Sequence, residues 1–191
     1  VVELQAYFAE DPRLGITSVP GAGAQVPLYI LGSSLFGAQL AAMLGLPYAF
    51  ASHFAPDALD QALEVYRRQF KPSAQLERPY AMAAFNVFAA DSREEAELIA
   101  SSQQQAFVAL RTGNPGRMPP PVAGYRDTLP PPAQALLDHV LQCTAIGTEA
   151  EVAEGLAGFV DRTKADEIIV ASSIYDHAAR RRSLEITMNA A

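Results

Sequence analysis

The chain has 191 residues, half of them hydrophobic and 18% charged, with a formal net charge of −7. That length supports one domain with a sizeable core, and that charge argues against a sequence-independent grip on nucleic acid, which needs a basic face. No apolar run approaches the ~18 residues of a membrane span, and a single cysteine, Cys143, excludes an internal disulfide and fits a reducing cytoplasm.

In chain order, Val1 to Ala9 reads as the tail of an amphipathic helix, with Val2, Leu4, Tyr7 and Phe8 apolar and Pro12 stopping it. A domain rarely starts inside an element, so an N-terminal part is expected to be missing. Pro27 to Leu31 is a short apolar run, as for a strand covered on both faces. The helix after it places Phe36, Leu40, Met43 and Leu44 on one stripe, and Gly45 with Pro47 ends it. A second strand runs from Tyr48 to Ser52. Pro56 and Asp57 open a helix with Leu59, Leu63, Tyr66 and Phe70 on its apolar side.

A third strand is Tyr80 to Ala89. Asp91 with Glu94 resembles a capping box for a helix to about Arg111. Thr112 to Pro132 is rich in Gly and Pro and predicts neither helix nor central strand. Such a stretch is a lid, a binding loop or a solvated linker. Ala133 to Leu141 predicts a short helix. Leu141 and Ile146 flank Cys143, which reads as a buried small hydrophobe. Thr148 with Glu151 forms a capping box for a helix carrying Val152, Leu156, Phe159 and Val160. The last strand is Glu167 to Ala171, and a final helix covers Tyr175 to Met188 with Arg180, Arg181 and Arg182 on a solvated face. Repeated strand–helix units imply a parallel sheet with right-handed crossovers. Periodicity alone does not choose between an open doubly wound sheet and a closed barrel.

Few constellations carry chemistry. Gly21-Ala22-Gly23 precedes a strand and opens no helix, so it is no dinucleotide fingerprint. No Gly-Lys-Ser/Thr or Gly-x-Ser-x-Gly is present. His53, His139 and His177 are far apart, without a second ligand at helical spacing, which speaks against a metal site. The informative feature is the strand-to-helix junction Leu31-Gly32-Ser33-Ser34-Leu35-Phe36-Gly37. Its free N–H groups, two hydroxyls and the positive helix end can hold a phosphate. The alternative is an ordinary helix start with Ser34 as N-cap. His53 follows the second strand, and Ser172 with Ser173 follow the last, at the strand ends where β/α folds gather their chemistry.

The segments Leu31–Ala41 and Gly45–Phe54, with Ala145–Thr148 and Ala165–Val170, resemble the luciferase-like flavin monooxygenases in matching order. That resemblance implies a (β/α)8 TIM-type barrel of which this chain is only the C-terminal half, about four β-α units. The Pro-rich Thr112–Pro132 stretch falls where the family carries a variable insertion near the active-site mouth. Gly32, Ser33, Ser34, Leu35, Phe36 and Gly37 would bind the cofactor. The two hydroxyls and the N–H groups of Leu35 to Ala38 would contact the phosphate of reduced FMN. His53, with Ser52, would face the isoalloxazine or the substrate as the candidate catalytic residue. The implied reaction uses reduced FMN and O2 to oxygenate a small organic substrate in a cytoplasmic homo-oligomer supplied by a separate flavin reductase. No nucleic acid, membrane or metal is implied. The alternatives are a deazaflavin-dependent oxidoreductase of the same fold, or a non-catalytic, self-associating half-barrel.

Overall fold

Five strands, all parallel, form one sheet in the computed structural model, which describes residues 1–191 apart from the side chain of Pro12. They are β1 (Ile30–Gly32), β2 (Tyr48–Phe50), β3 (Ala81–Ala89), β4 (Thr144–Gly147) and β5 (Glu167–Ala171). Among the described residues the α-helices are α1 (Val2–Phe8), α2 (Leu35–Leu44), α3 (Leu59–Gln69), α4 (Arg93–Arg111), α5 (Pro131–Val140), α6 (Glu149–Thr163) and α7 (His177–Ala190). β1 pairs with β2, β2 with β3, and β3 with β5, in the order the strand–helix alternation requires.

β4 lies off this arc. The N–H of Tyr48 donates to the carbonyl of Tyr80, and the N–H of Asn86 donates to that of Cys143. Alternate residues of a strand turn their backbone groups to the same edge. β2 and β4 therefore share one edge of β3, and β5 takes the other. The end of β3 runs past β2 and pairs with β4 through Asn86–Ala89. This ribbon lies between two helices. Phe88 and Ile146 pack with Ala96, Ile99 and Ala100 of α4, and Ala145 packs with Val152 and Leu156 of α6.

The core sits between the sheet and α2, α3 and α6. On β3 the odd positions Ala81, Ala83, Phe85, Val87 and Ala89 face these helices, with the Phe85 and Phe159 rings 4.5 Å apart. Fully burying each such ring contributes about 1.5–3 kcal/mol. Tyr66 is fully buried, and its hydroxyl accepts from the N–H of Tyr80 at 3.0 Å and donates to the carbonyl of Leu46 at 2.9 Å. The apolar side expected for α3 is the buried one, and Glu167–Ala171 is strand as expected.

Four expectations need correction. The buried face of α2 is Gly37, Ala38, Ala41 and Ala42, whereas Phe36 and Met43 are exposed. Small residues let α2 approach α3 and the Tyr48 ring closely: a Cβ on Gly37 would stand 3.3 Å from that ring. The N-cap of α4 is Ser92, whose hydroxyl accepts from the N–H of Glu95; Asp91 instead pairs with Arg182. The Pro-rich stretch is not wholly irregular. It holds a 3-10 turn at Tyr125–Thr128, and Pro131 opens α5, where a missing N–H costs nothing. β1 is short and spans Ile30–Gly32, because Val26 to Tyr29 have no strand beside them.

The Pro-rich stretch docks on α4. Gln105 donates to the carbonyl of Pro120 at 2.9 Å, and the N–H of Val122 donates to the Ser101 hydroxyl at 2.8 Å. Together with α4 and α5 it forms the long connection from β3 to β4.

Candidate functional site

The candidate site is built at the C-terminal ends of β1 and β2. The N–H of Ala51 donates to the carbonyl of Gly32 at 2.9 Å, which ties the segment after β2 to the junction after β1. Ser33 and Ser34 at one end and His53 at the other thus lie on one rim.

At the start of α2, Ser34 has φ −143° and ψ 163°, an N-cap conformation, yet its side chain makes no capping bond. The other helices differ in at least one respect: α1 and α3 are uncapped but carry Glu3 and Asp60 in their first turns, and α5, uncapped and acid-free, opens on Pro131 and Pro132, which have no N–H. Ser92 caps α4, Asp176 caps α7 through the N–H of Ala179 at 2.8 Å, and Glu151 closes a capping box on Thr148 at 2.8 Å. At α2, among the described residues, no acceptor in the chain takes the N–H groups of Ser33, Ser34, Leu35, Phe36 or Gly37. Both serines are exposed, and no acidic residue stands in the first turn. The first turns of α4 and α6, by contrast, carry Glu94, Glu95, Glu149 and Glu151. A helix end with free donors and no carboxylate of its own is suited to an external anion. The residues present therefore fit a phosphate group.

Tyr48 supports this junction from below. It is fully buried, and its hydroxyl donates to the carbonyl of Ser34 at 3.1 Å. Burial pushes its pKa up to about 12, so the hydroxyl stays a donor at neutral pH. Periodicity gives Tyr48 no role beyond strand core; an aromatic hydroxyl at a strand start is the signal that marks it.

His53 is half-buried, and burial pushes its pKa below the ordinary value, so its ring is neutral near pH 7. Its Nδ1 is buried without a hydrogen-bond partner. Ser52 beneath it is fully buried and donates to the carbonyl of Ala84 at 2.5 Å. Asn86 of β3 donates through Nδ2 to the carbonyl of His53 at 2.8 Å. No motif marks Asn86; the signal for it is that it is the lone strongly polar residue within Ala81–Ala89.

The remaining candidates go elsewhere. Ser172 spends its hydroxyl on the carbonyl of Val87 at 2.8 Å, a structural bond. His139 pairs with Asp57 at 2.6 Å on the surface, and His177 lies exposed at the start of α7. Cys143 is fully buried, 3.5 Å from the Arg162 guanidinium, and burial pushes its thiol up, as suits an inert core residue. Among the described residues no helix is long and apolar enough to cross a membrane.

Comparison with known proteins fixes the family. The family model described as luciferase-like monooxygenase matches residues 2–166, and the chain belongs to that family. It is 50% identical over 190 residues to a luciferase-like monooxygenase of Escherichia coli strain K12, covering 99% of this chain and 57% of that protein. It is 43% identical over 186 residues to the uncharacterized protein YvbT of Bacillus subtilis, covering 96% and 55%. The crystal structure of apo-MsnO8 superposes with a TM-score of 0.81 at 25% identity, covering 99% of this chain and 58% of that one. The chain thus spans a little more than half the length of the relatives it matches, and its arc of parallel strands is part of a luciferase-like barrel. More distant structures share the fold. They include a riboflavin lyase with modified FMN at 18% identity, TM-score 0.54, and an F420-dependent secondary alcohol dehydrogenase at 15%, TM-score 0.53.

Proposed function

We propose that the protein carrying this chain is a flavin-dependent monooxygenase that uses reduced FMN and O2 to oxygenate a small organic substrate. The observation that carries this reading is the uncapped, acid-free start of α2 with its two exposed serines, on a chain of the luciferase-like family. When bound, reduced FMN supplies the chemistry of oxygen transfer. The chain's own groups bind and orient. Ser33 and Ser34 donate their hydroxyls to the phosphate, beside the N–H groups of Leu35, Phe36 and Gly37, and Gly32 brings the backbone close. The helix end adds about half a unit of positive charge. His53, neutral and half-buried, stands at the ring or substrate side, and the connection around Thr112–Pro132 narrows the mouth and excludes water. A separate reductase supplies the reduced flavin.

The test is oxygen uptake by the intact protein with chemically reduced FMN and, in parallel, with a reduced deazaflavin. Flavin-dependent oxygenation of a small organic probe, with O2 consumed in step, supports the reading. Hydride transfer from the deazaflavin without O2 consumption would replace it with an oxidoreductase of the same fold.

A further inference from the structure

Along one edge of β3 the strand partner changes. β2 covers Ala81–Ala83 and β4 covers Asn86–Ala89, so Ala84 and Phe85 face no strand on that edge. Ser52 and His53 fill this gap. The Ser52 hydroxyl donates to the carbonyl of Ala84, and Asn86 Nδ2 donates to the carbonyl of His53. The same amide reaches Thr144 Oγ1 of β4 at 3.4 Å. One side chain thus joins the segment after β2 to both strands of the ribbon.

Asn86 is fully buried, and its Oδ1 has no hydrogen-bond partner within the chain. The amide therefore serves the His53 carbonyl through Nδ2 while its own Oδ1 stays a buried acceptor without a partner, which costs stability. Its odd-numbered neighbours face the helices, so strand alternation turns Asn86 to the opposite face, which it shares with Ala84 and Phe88. From the gap and the bond that crosses it, we infer that Asn86 is a positioning residue. It fixes the His53 peptide and so the direction in which the imidazole leaves the rim. The inference rests on the reading that His53 faces the flavin ring or substrate.

Two measurements on the intact protein test it. The first is a cycle of Asn86→Ala, His53→Ala and the double variant, followed by kcat and KM for reduced FMN. Asn86→Ala lowers kcat about tenfold with KM nearly unchanged, and the loss disappears in the His53→Ala background. Additive losses overturn the inference. The second uses 13C-labelled histidine without flavin. In Asn86→Ala the His53 ring signal shifts or broadens, while those of His139 and His177 stay put. An unmoved His53 signal overturns the inference even if turnover falls. If His53→Ala alone changes neither flavin binding nor turnover, the functional reading fails, and the ring signal still decides the positioning. Should Asn86→Ala not fold, Asn86→Leu, which keeps the side-chain volume and removes the N–H donors, is read in the same two ways.

Discussion

The hydroxyl of Tyr48 donates to the main-chain carbonyl of Ser34 across 3.1 Å, joining the first residue of β2 to the N-cap of α2. The ring beneath that hydroxyl packs against Gly37, so one side chain sets both the height and the angle at which α2 begins. Removing the hydroxyl while keeping the ring isolates the bond. Tyr48→Phe is expected to lose about 1 kcal/mol, the usual net worth of such a bond. Urea unfolding checks this through a lower midpoint at unchanged slope. An unchanged midpoint would mean the junction holds its shape without Tyr48.

The helix that starts there is seated by its small residues. Ala41 is fully buried, so Ala41→Leu forces extra volume between α2 and its neighbours and is expected to cost about 1–3 kcal/mol. Gln39 on the exposed side is the control, and Gln39→Ala is expected to stay within about 0.5 kcal/mol. Thermal or urea unfolding of both variants makes the comparison. Equal costs would contradict the assignment of the buried face.

His53 links stability to pH. Its folded pKa lies below its unfolded value because burial disfavours the charged ring. Between the two values the unfolded chain binds more protons, so stability rises with pH there. The contribution of His53 is whole above the ordinary histidine value of about 6.5 and drains away as pH falls through the folded pKa. Unfolding midpoints measured across pH 4 to 8 should therefore decline less toward acid in His53→Gln than in the wild type. Identical slopes would mean the ring is not desolvated.

Much of the sheet was legible because its cues are local. Glu167–Ala171 is β-branched and apolar, and Thr148 with Glu151 states its own capping box. The apolar stripe of α2 points to the wrong face because its large side chains outweigh Gly37, Ala38, Ala41 and Ala42 in hydrophobicity, while the small size of these four is what close packing uses. β4 was missed because Thr144-Ala145-Ile146-Gly147 is too short to show a period. The phosphate-type junction and its free N–H groups are legible in composition, but the choice between that and an ordinary cap by Ser34 is not. Whether Ser34 caps its helix depends on a side-chain rotamer, and residue type marks Tyr48 and Asn86 as unusual without showing which backbone carbonyls they meet.

The central claim is that Ser33 and Ser34 hold the phosphate of reduced FMN at the start of α2. The most direct measurement is anaerobic titration of wild type and of the Ser33→Ala, Ser34→Ala double variant with reduced FMN and with reduced riboflavin. Backbone donors survive in the variant, so binding weakens without vanishing. A hydrogen bond to a charged group is worth about 1.5–3 kcal/mol, and about 1.4 kcal/mol is one decade in affinity. The account predicts that the variant binds reduced FMN about tenfold or more weakly while riboflavin, which lacks the phosphate, is nearly unaffected. Equal losses for both flavins would contradict it.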